Sequence, residues 1–178
     1  MPQAVTHFLI PVILLELFRH FFVKNKKNFP VYYIFIGGLA GLIPDLDVAV
    51  YYILSFFGFT YQEIHRTFLH TLFIPLLFVI LSFPFQKIKS RKLREQHLKA
   101  QPIFLVIAFG IFIHLILDAT ISGVIIPFYP IFNFSVGFNF IRFFPEQWQG
   151  TIIPTLDAII LILWLIHLER NHKLSDFF

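Results

Sequence analysis

Long apolar runs dictate what this chain can become. Five stretches, Ala4–Val23, Val31–Gly58, Phe68–Phe85, Pro102–Ser122 and Thr151–His167, are mostly hydrocarbon. A helix crosses a bilayer with about 20 such residues, each advancing it about 1.5 Å. Charged residues are 13% of the 178 and apolar ones 57%, against about 25% and about 45–50% in soluble domains. A disordered chain is excluded, because it needs low hydrophobicity and high charge. The runs also lack the period-two alternation of barrel strands. With no cysteine in the chain, disulfides, thiolate metal sites and cysteine nucleophiles are excluded too. The expectation is an all-α, polytopic membrane helix bundle of about five transmembrane helices, forming a single domain over residues 1–178. The first run carries His7, Glu16 and Arg19 with no basic stretch before it, unlike a cleavable signal peptide.

Two interruptions stand out. The second run is 28 residues long and holds Gly37, Gly38, Gly41 and Pro44. Proline disfavours helix in the residue before it and suits the first turn of a helix after it, so a break is expected near Ile43–Asp45. Residues 123–150 contain Pro127, Pro130, Pro145, many Phe and Trp148, which predicts a re-entrant or interfacial loop.

The bases set an orientation. Lys24, Lys26 and Lys27 follow the first run, Lys87 to Lys99 supply six bases between the third and fourth, and Arg170 and Lys173 follow the fifth. With five crossings all three groups fall on one side, which the positive-inside rule makes cytoplasmic. The chain is therefore expected in the plasma (inner) membrane, with its N-terminus extracytoplasmic and its C-terminus cytoplasmic. The basic stretch is assigned to orientation and contact with anionic lipid, and no nucleic-acid partner is expected.

The remaining charges are the informative ones. A charged side chain at mid-bilayer costs about 2.5–3.5 kcal/mol on insertion scales. Yet Asp45, Asp47, Asp118, Asp157, His7 and His114 lie within or at the ends of apolar runs, and His65 and His70 flank the mouth of the third. Counting from the expected ends of the helices, all of them reach the outer half of the bilayer. His114 and Asp118 are four apart and share a helix face. His65 and His70 are five apart and share one poorly, so a helix start near Thr67 is expected. Imidazole with carboxylate oxygen suits a divalent metal, zinc first, with manganese or iron as alternatives, and several carboxylates can bridge a pair of ions. The candidate ligands are His7, Asp45, Asp47, His65, His70, His114 and Asp118, for one or two ions. A proton or ion relay uses the same residue types, so that reading stays open. Asp157, just after Pro154, fits either the site or a capping role.

These residues also carry a resemblance. His7, the stretch Gly41-Leu-Ile-Pro-Asp-Leu-Asp47, the stretch His65-Arg-Thr-Phe-Leu-His70, and His114-Leu-Ile-Leu-Asp118 followed by Ser122-Gly123 and Tyr129-Pro130 resemble the YdjM-type family of inner-membrane, metal-dependent hydrolases. The resemblance covers about Thr6–Pro130. Members often have Gly after the His-Arg pair and Ser after the second His, where this chain has Thr67 and Thr71. The order of ligands is also similar to that of zinc-dependent phospholipase C and P1-type nucleases. That likeness implies one metal held by Asp45 or Asp47, His65 or His70, His114 and Asp118, with Asp118 bridging to a second metal bound by His7. The later H-x-x-x-E pair of those enzymes is missing here, which argues against a three-metal site.

The function expected from sequence is a membrane-embedded, phosphoesterase-like hydrolase acting on a lipid or lipid-linked phosphate at the extracytoplasmic leaflet. Asp47 or Asp45 would accept the proton of the attacking water, and Arg66 would clamp an anionic group through its planar fork. The alternatives are a metal-ion or proton transporter or channel, and a non-catalytic membrane protein with a structural metal.

Overall fold

The computed structural model of the chain describes residues 4–65, 67–86 and 99–172. Arg66, Lys173 and the bases Lys87, Lys89, Arg91, Lys92 and Arg94 lie outside the described residues. The elements are helical: α1 (Ala4–Phe22), α2 (Val31–Ala40), α3 (Asp47–Leu54), α4 (Tyr61–Ile64), α5 (Phe73–Ser82), α6 (Ala100–Leu117) and α7 (Glu146–His172). Among the described residues no strand forms; Ile125 and Val136 make one isolated antiparallel bridge.

Helices α1, α6 and α7 are long and apolar enough to cross a membrane. The second run forms a bent helix pair, Val31–Ala40 followed by Pro44–Phe57, with a bend of 43°. The break falls where the Gly-Pro pattern predicts it. The expected count of five is not reached by length: three helices qualify among the described residues, or four with the bent pair as one span. The third apolar run becomes helical only at Phe73 and ends at Gln86, about 21 Å of helix against a hydrocarbon core of about 30 Å. Its first residues, expected to be helical from Phe68, are spent on turns instead. Thr67 Oγ1 donates to the Ile64 carbonyl (2.6 Å) and Thr71 Oγ1 to the Phe68 carbonyl (3.1 Å). These turns set the direction of His65 and His70. The fifth run differs the other way: its helix already begins at Glu146, within the segment expected to be loop, and continues to His172.

Helix α6 is the hub. It packs on α2, α5 and α1, and α1 in turn packs on α2 and α7. A core of Val12, Leu15, Tyr33, Ile34 and Val106 fills the α1–α2–α6 junction. Two glycines set how closely these helices approach. A Cβ on Gly110 of α6 would stand 2.2 Å from the Gly37 carbonyl oxygen of α2, and a Cβ on Gly41 would stand 2.2 Å from the His7 carbonyl oxygen of α1. Neither spacing is physical, so the backbones meet directly there, as small residues allow in membrane bundles. The outer faces are the reverse of a soluble protein's. Phe21, Phe22, Phe56 and Phe57 are strongly exposed, as is much of α7, an arrangement suited to lipid contact.

Residues 123–145 fold back over one end of the bundle. Phe138 N–H donates to the Ala119 carbonyl (2.6 Å), Leu72 N–H donates to the Pro127 carbonyl (2.9 Å), and Tyr129 meets Phe68 edge to face. Ile125 and Ile141 point inward, while Ile131, Phe132, Phe134, Phe138 and Phe143 are exposed.

Candidate metal centre

Three helix ends converge beneath that loop. His7 closes the first turn of α1. His114 sits in the last turn of α6, and Asp118 opens a single π-helical turn that extends α6 to Ser122. Such turns re-aim side chains and recur at functional sites. Asp45 lies in the tight turn Pro44–Leu46 between α2 and α3, and Asp47 begins α3. His70 comes from the turns before α5.

The ligating atoms face one point. His70 Nε2 and His114 Nε2 are 3.2 Å apart. Asp118 Oδ2 lies 3.3 Å from His70 Nε2 and 3.6 Å from His114 Nε2, and Asp118 Oδ1 lies 3.5 Å from His7 Nε2. Asp45 Oδ1 lies 3.8 and 3.7 Å from the two histidine Nε2 atoms. The His7 and His114 rings stack with centroids 3.8 Å apart. Two metal-competent groups result, His7–His114–Asp118 and Asp45–His70–His114, each with its ligand atoms within 4.8 Å of one another. His7, His70, His114 and Asp118 are wholly buried, whereas the Asp45 side chain keeps 27% exposure. The site therefore opens on the Asp45 side.

The far ring nitrogens explain why these atoms face inward. His114 Nδ1 lies 2.7 Å from the Gly41 carbonyl oxygen, which can only accept, so Nδ1 carries the proton. The carbonyl is available because the break ends the α2 hydrogen-bond ladder, leaving terminal carbonyls to find partners. His70 Nδ1 lies 3.1 Å from Asp47 Oδ2, another acceptor. A neutral His70 that keeps its proton on Nδ1, toward the Asp47 carboxylate, puts its Nε2 lone pair against that of His114 at 3.2 Å. A cation between them resolves that repulsion. Both ring nitrogens of His7 and Oδ1 of Asp45 have no hydrogen-bond partner among the described residues, although buried polar groups normally have one. The donor set fits a divalent metal.

Of the seven candidate ligands, five meet at this point. Asp47 and His65 stand one layer out. The Asp47 carboxylate spans His65 Nδ1 (2.9 Å) and His70 Nδ1, the arrangement in which an outer carboxylate orients a ligating imidazole. Spacing alone could not separate Asp45 from Asp47, because the turn between them has no fixed period. Arg66 lies outside the described residues.

Asp157 has a different partner. It is 3% exposed, accepts the Thr6 N–H at 3.2 Å and also accepts the Thr6 hydroxyl. It thereby satisfies a free amide in the first turn of α1 and joins α7 to α1 beside His7. Sequence reasoning had no signal for this contact, which is 151 residues apart. Asp157→Ala is expected to cost about 1–3 kcal/mol, the range for a buried donor left unsatisfied, and to leave bound metal unchanged. Thermal unfolding and metal analysis of the same sample check both halves.

The family model described as YdjM inner membrane protein matches residues 1–173. No curated protein and no solved structure matches the chain.

Proposed function

Starting from the chain's membership of the YdjM inner membrane protein family, we propose that it is a membrane-embedded, metal-dependent hydrolase of lipid or lipid-linked phosphate. The observation that carries this reading is the inward convergence of His7, Asp45, His70, His114 and Asp118 in an apolar bundle. One divalent ion per chain, zinc first, accounts for it. His114 offers a single free nitrogen, Nε2, and both metal-competent groups need that atom. They are therefore overlapping descriptions of one centre.

A divalent cation held there would polarise a phosphoryl oxygen and lower the pKa of a bound water toward about 7. The chain's own groups divide the rest of the work. Asp47 and the Gly41 carbonyl fix the tautomers of His70 and His114. Asp45, on the open side, would bind the ion through Oδ1 and accept the proton of the attacking water through its second oxygen. The stacked His7 and the loop over the site exclude bulk water from the buried side. Arg66, next to His65 in sequence, is the proposed clamp for the anionic group.

The proposed topology has five crossings, with α5 as the short one, the N-terminus and the site extracytoplasmic, and the bases cytoplasmic. Because the chain lacks cysteine, single cysteines introduced at exposed Asn133 and Lys27 would report the two sides by impermeant-thiol labelling in intact cells.

The activity is tested with purified protein in bilayers, following phosphate or headgroup release from phospholipid and from a lipid phosphomonoester. Turnover is expected to need the metal, to stop on chelation, and to fall about 10–100-fold in Asp47→Asn, the usual effect of losing an outer partner. Metal uptake into sealed vesicles without any hydrolysis would overturn this reading in favour of transport. A polar path through the membrane is expected of a transporter, whereas here the ligating groups gather at one end of the bundle.

A further inference from the structure

Toward the opposite end of the bundle, cavities flank the seam between α1 and α7. The two helices are joined near the metal centre by Asp157 and Thr6, and again where Glu16 Oε1 meets His167 Nε2 at 3.5 Å. Glu16 thus reaches across to α7, not along its own helix to Arg19 and His20. Arg19 Nε donates to the Phe29 carbonyl at 2.8 Å. Two cavities of 510 and 530 Å3 border this pair, and both are lined by Glu16, His20, Trp164 and His167.

The linings differ in chemistry. Ile10, Ile13, Leu17, Ile160 and Leu163 line the first cavity. Arg19, His20 and Lys26 line the second, and Arg170 lines an adjoining hollow with His167. The Trp164 ring lines both cavities. The one acid, Glu16, already has His167. What remains is an apolar slot whose polar groups are donors and cations, so its occupant must combine a hydrocarbon chain with an anionic acceptor. A second copy of this chain would bring the same bases to the same place and meet like charge.

We propose that this crevice is a binding site for an anionic phospholipid, its acyl chain between α1 and α7 against the Trp164 ring and its headgroup among Arg19, Lys26 and Arg170. Basic pockets between membrane helices bind acidic headgroups for the same reason. The site is independent of the proposed hydrolase activity, because it shares no residue with the metal centre.

The chain has two tryptophans, which makes the test direct. Trp148→Phe removes the exposed one and leaves Trp164 as sole reporter in the full-length protein. Reconstituted with brominated phosphatidylglycerol or brominated phosphatidylcholine, Trp164 should be quenched saturably by both, with the acidic lipid half-saturating at a mole fraction roughly fivefold lower for each base engaged. Lys26→Gln with Arg170→Gln should cut that preference to the roughly fivefold left to Arg19 while quenching persists, and 0.5 M salt should weaken it. Equal quenching by the two lipids in the parent protein would show ordinary bilayer contact and overturn the proposal. Absence of quenching would overturn it as well, by showing the crevice filled with protein.

Discussion

His114→Ala combined with Asp118→Ala is expected to take bound metal from about one ion per chain to under about a tenth, with activity lost alongside it, since structural and catalytic metals depend on their full ligand set. These two residues supply the Nε2 atom common to both triads and the carboxylate that reaches both His7 and His70. Their removal leaves no three-ligand group among the described residues. The stability consequence separates this from a generic lesion. In the intact protein, chelation should itself lower the unfolding temperature, because the cation resolves the facing lone pairs of His70 and His114 and an ion that binds only the folded state stabilises it. The double variant, already without the ion, should show no further loss on chelation. Metal analysis and tryptophan-monitored melting, with and without chelator, read both effects. A wild-type protein purified without metal and indifferent to added zinc, manganese or iron would refute the centre.

Gly110→Ala and Gly150→Ala are the same chemical change with expected effects of opposite sign. At Gly110 the new methyl would sit 2.2 Å from the Gly37 carbonyl oxygen and 2.9 Å from Ala40 Cβ. Backbone cannot swing aside as a flexible side chain does, so α2 and α6 must part. Overpacking of this kind costs about 1–3 kcal/mol or more. The separation should propagate to the metal, because Gly41 follows on the same face and its carbonyl holds His114. At Gly150, in exposed α7, nothing lies within 4 Å, and replacing glycine inside a helix gains about 0.5–1 kcal/mol. Melting temperature and metal retention measured on both variants should move apart: down with partial metal loss for Gly110→Ala, up with full retention for Gly150→Ala. If Gly110→Ala melts like the parent, the close α2–α6 contact is not what positions His114.

How far the sequence discloses such a site depends on what fixes each side chain. His114 and Asp118 are legible because a regular helix maps a spacing of four onto one face. The break at Pro44 is legible because proline acts locally. His7, Asp45 and His70 are legible only as improbably placed polar groups, and the reason for suspecting them is the cost of burying them in lipid. What stayed hidden depends on irregular backbone. The turns before Phe73 decide that His70 reaches the centre and His65 does not, and no periodicity describes them. The role of Asp47 as a brace rather than a ligand follows from two contacts to its carboxylate, and the partner of Asp157 comes from the other end of the chain. The late start of α5 has the same origin, since residues that would have lengthened it were diverted to form the turns.

The exposed phenylalanines of residues 131–143 carry a consequence for kinetics. They lie at the same end of the bundle as the metal centre, so under the proposed topology they act as a waterline, and the opening beside Asp45 lies at a fixed height relative to the headgroups. Under the proposed activity a substrate arrives by lateral diffusion within the leaflet and never passes through solution. Rates should then follow the surface mole fraction of substrate and be indifferent to its bulk concentration. Diluting the membrane with inert lipid should slow the reaction, whereas diluting the suspension with buffer should not.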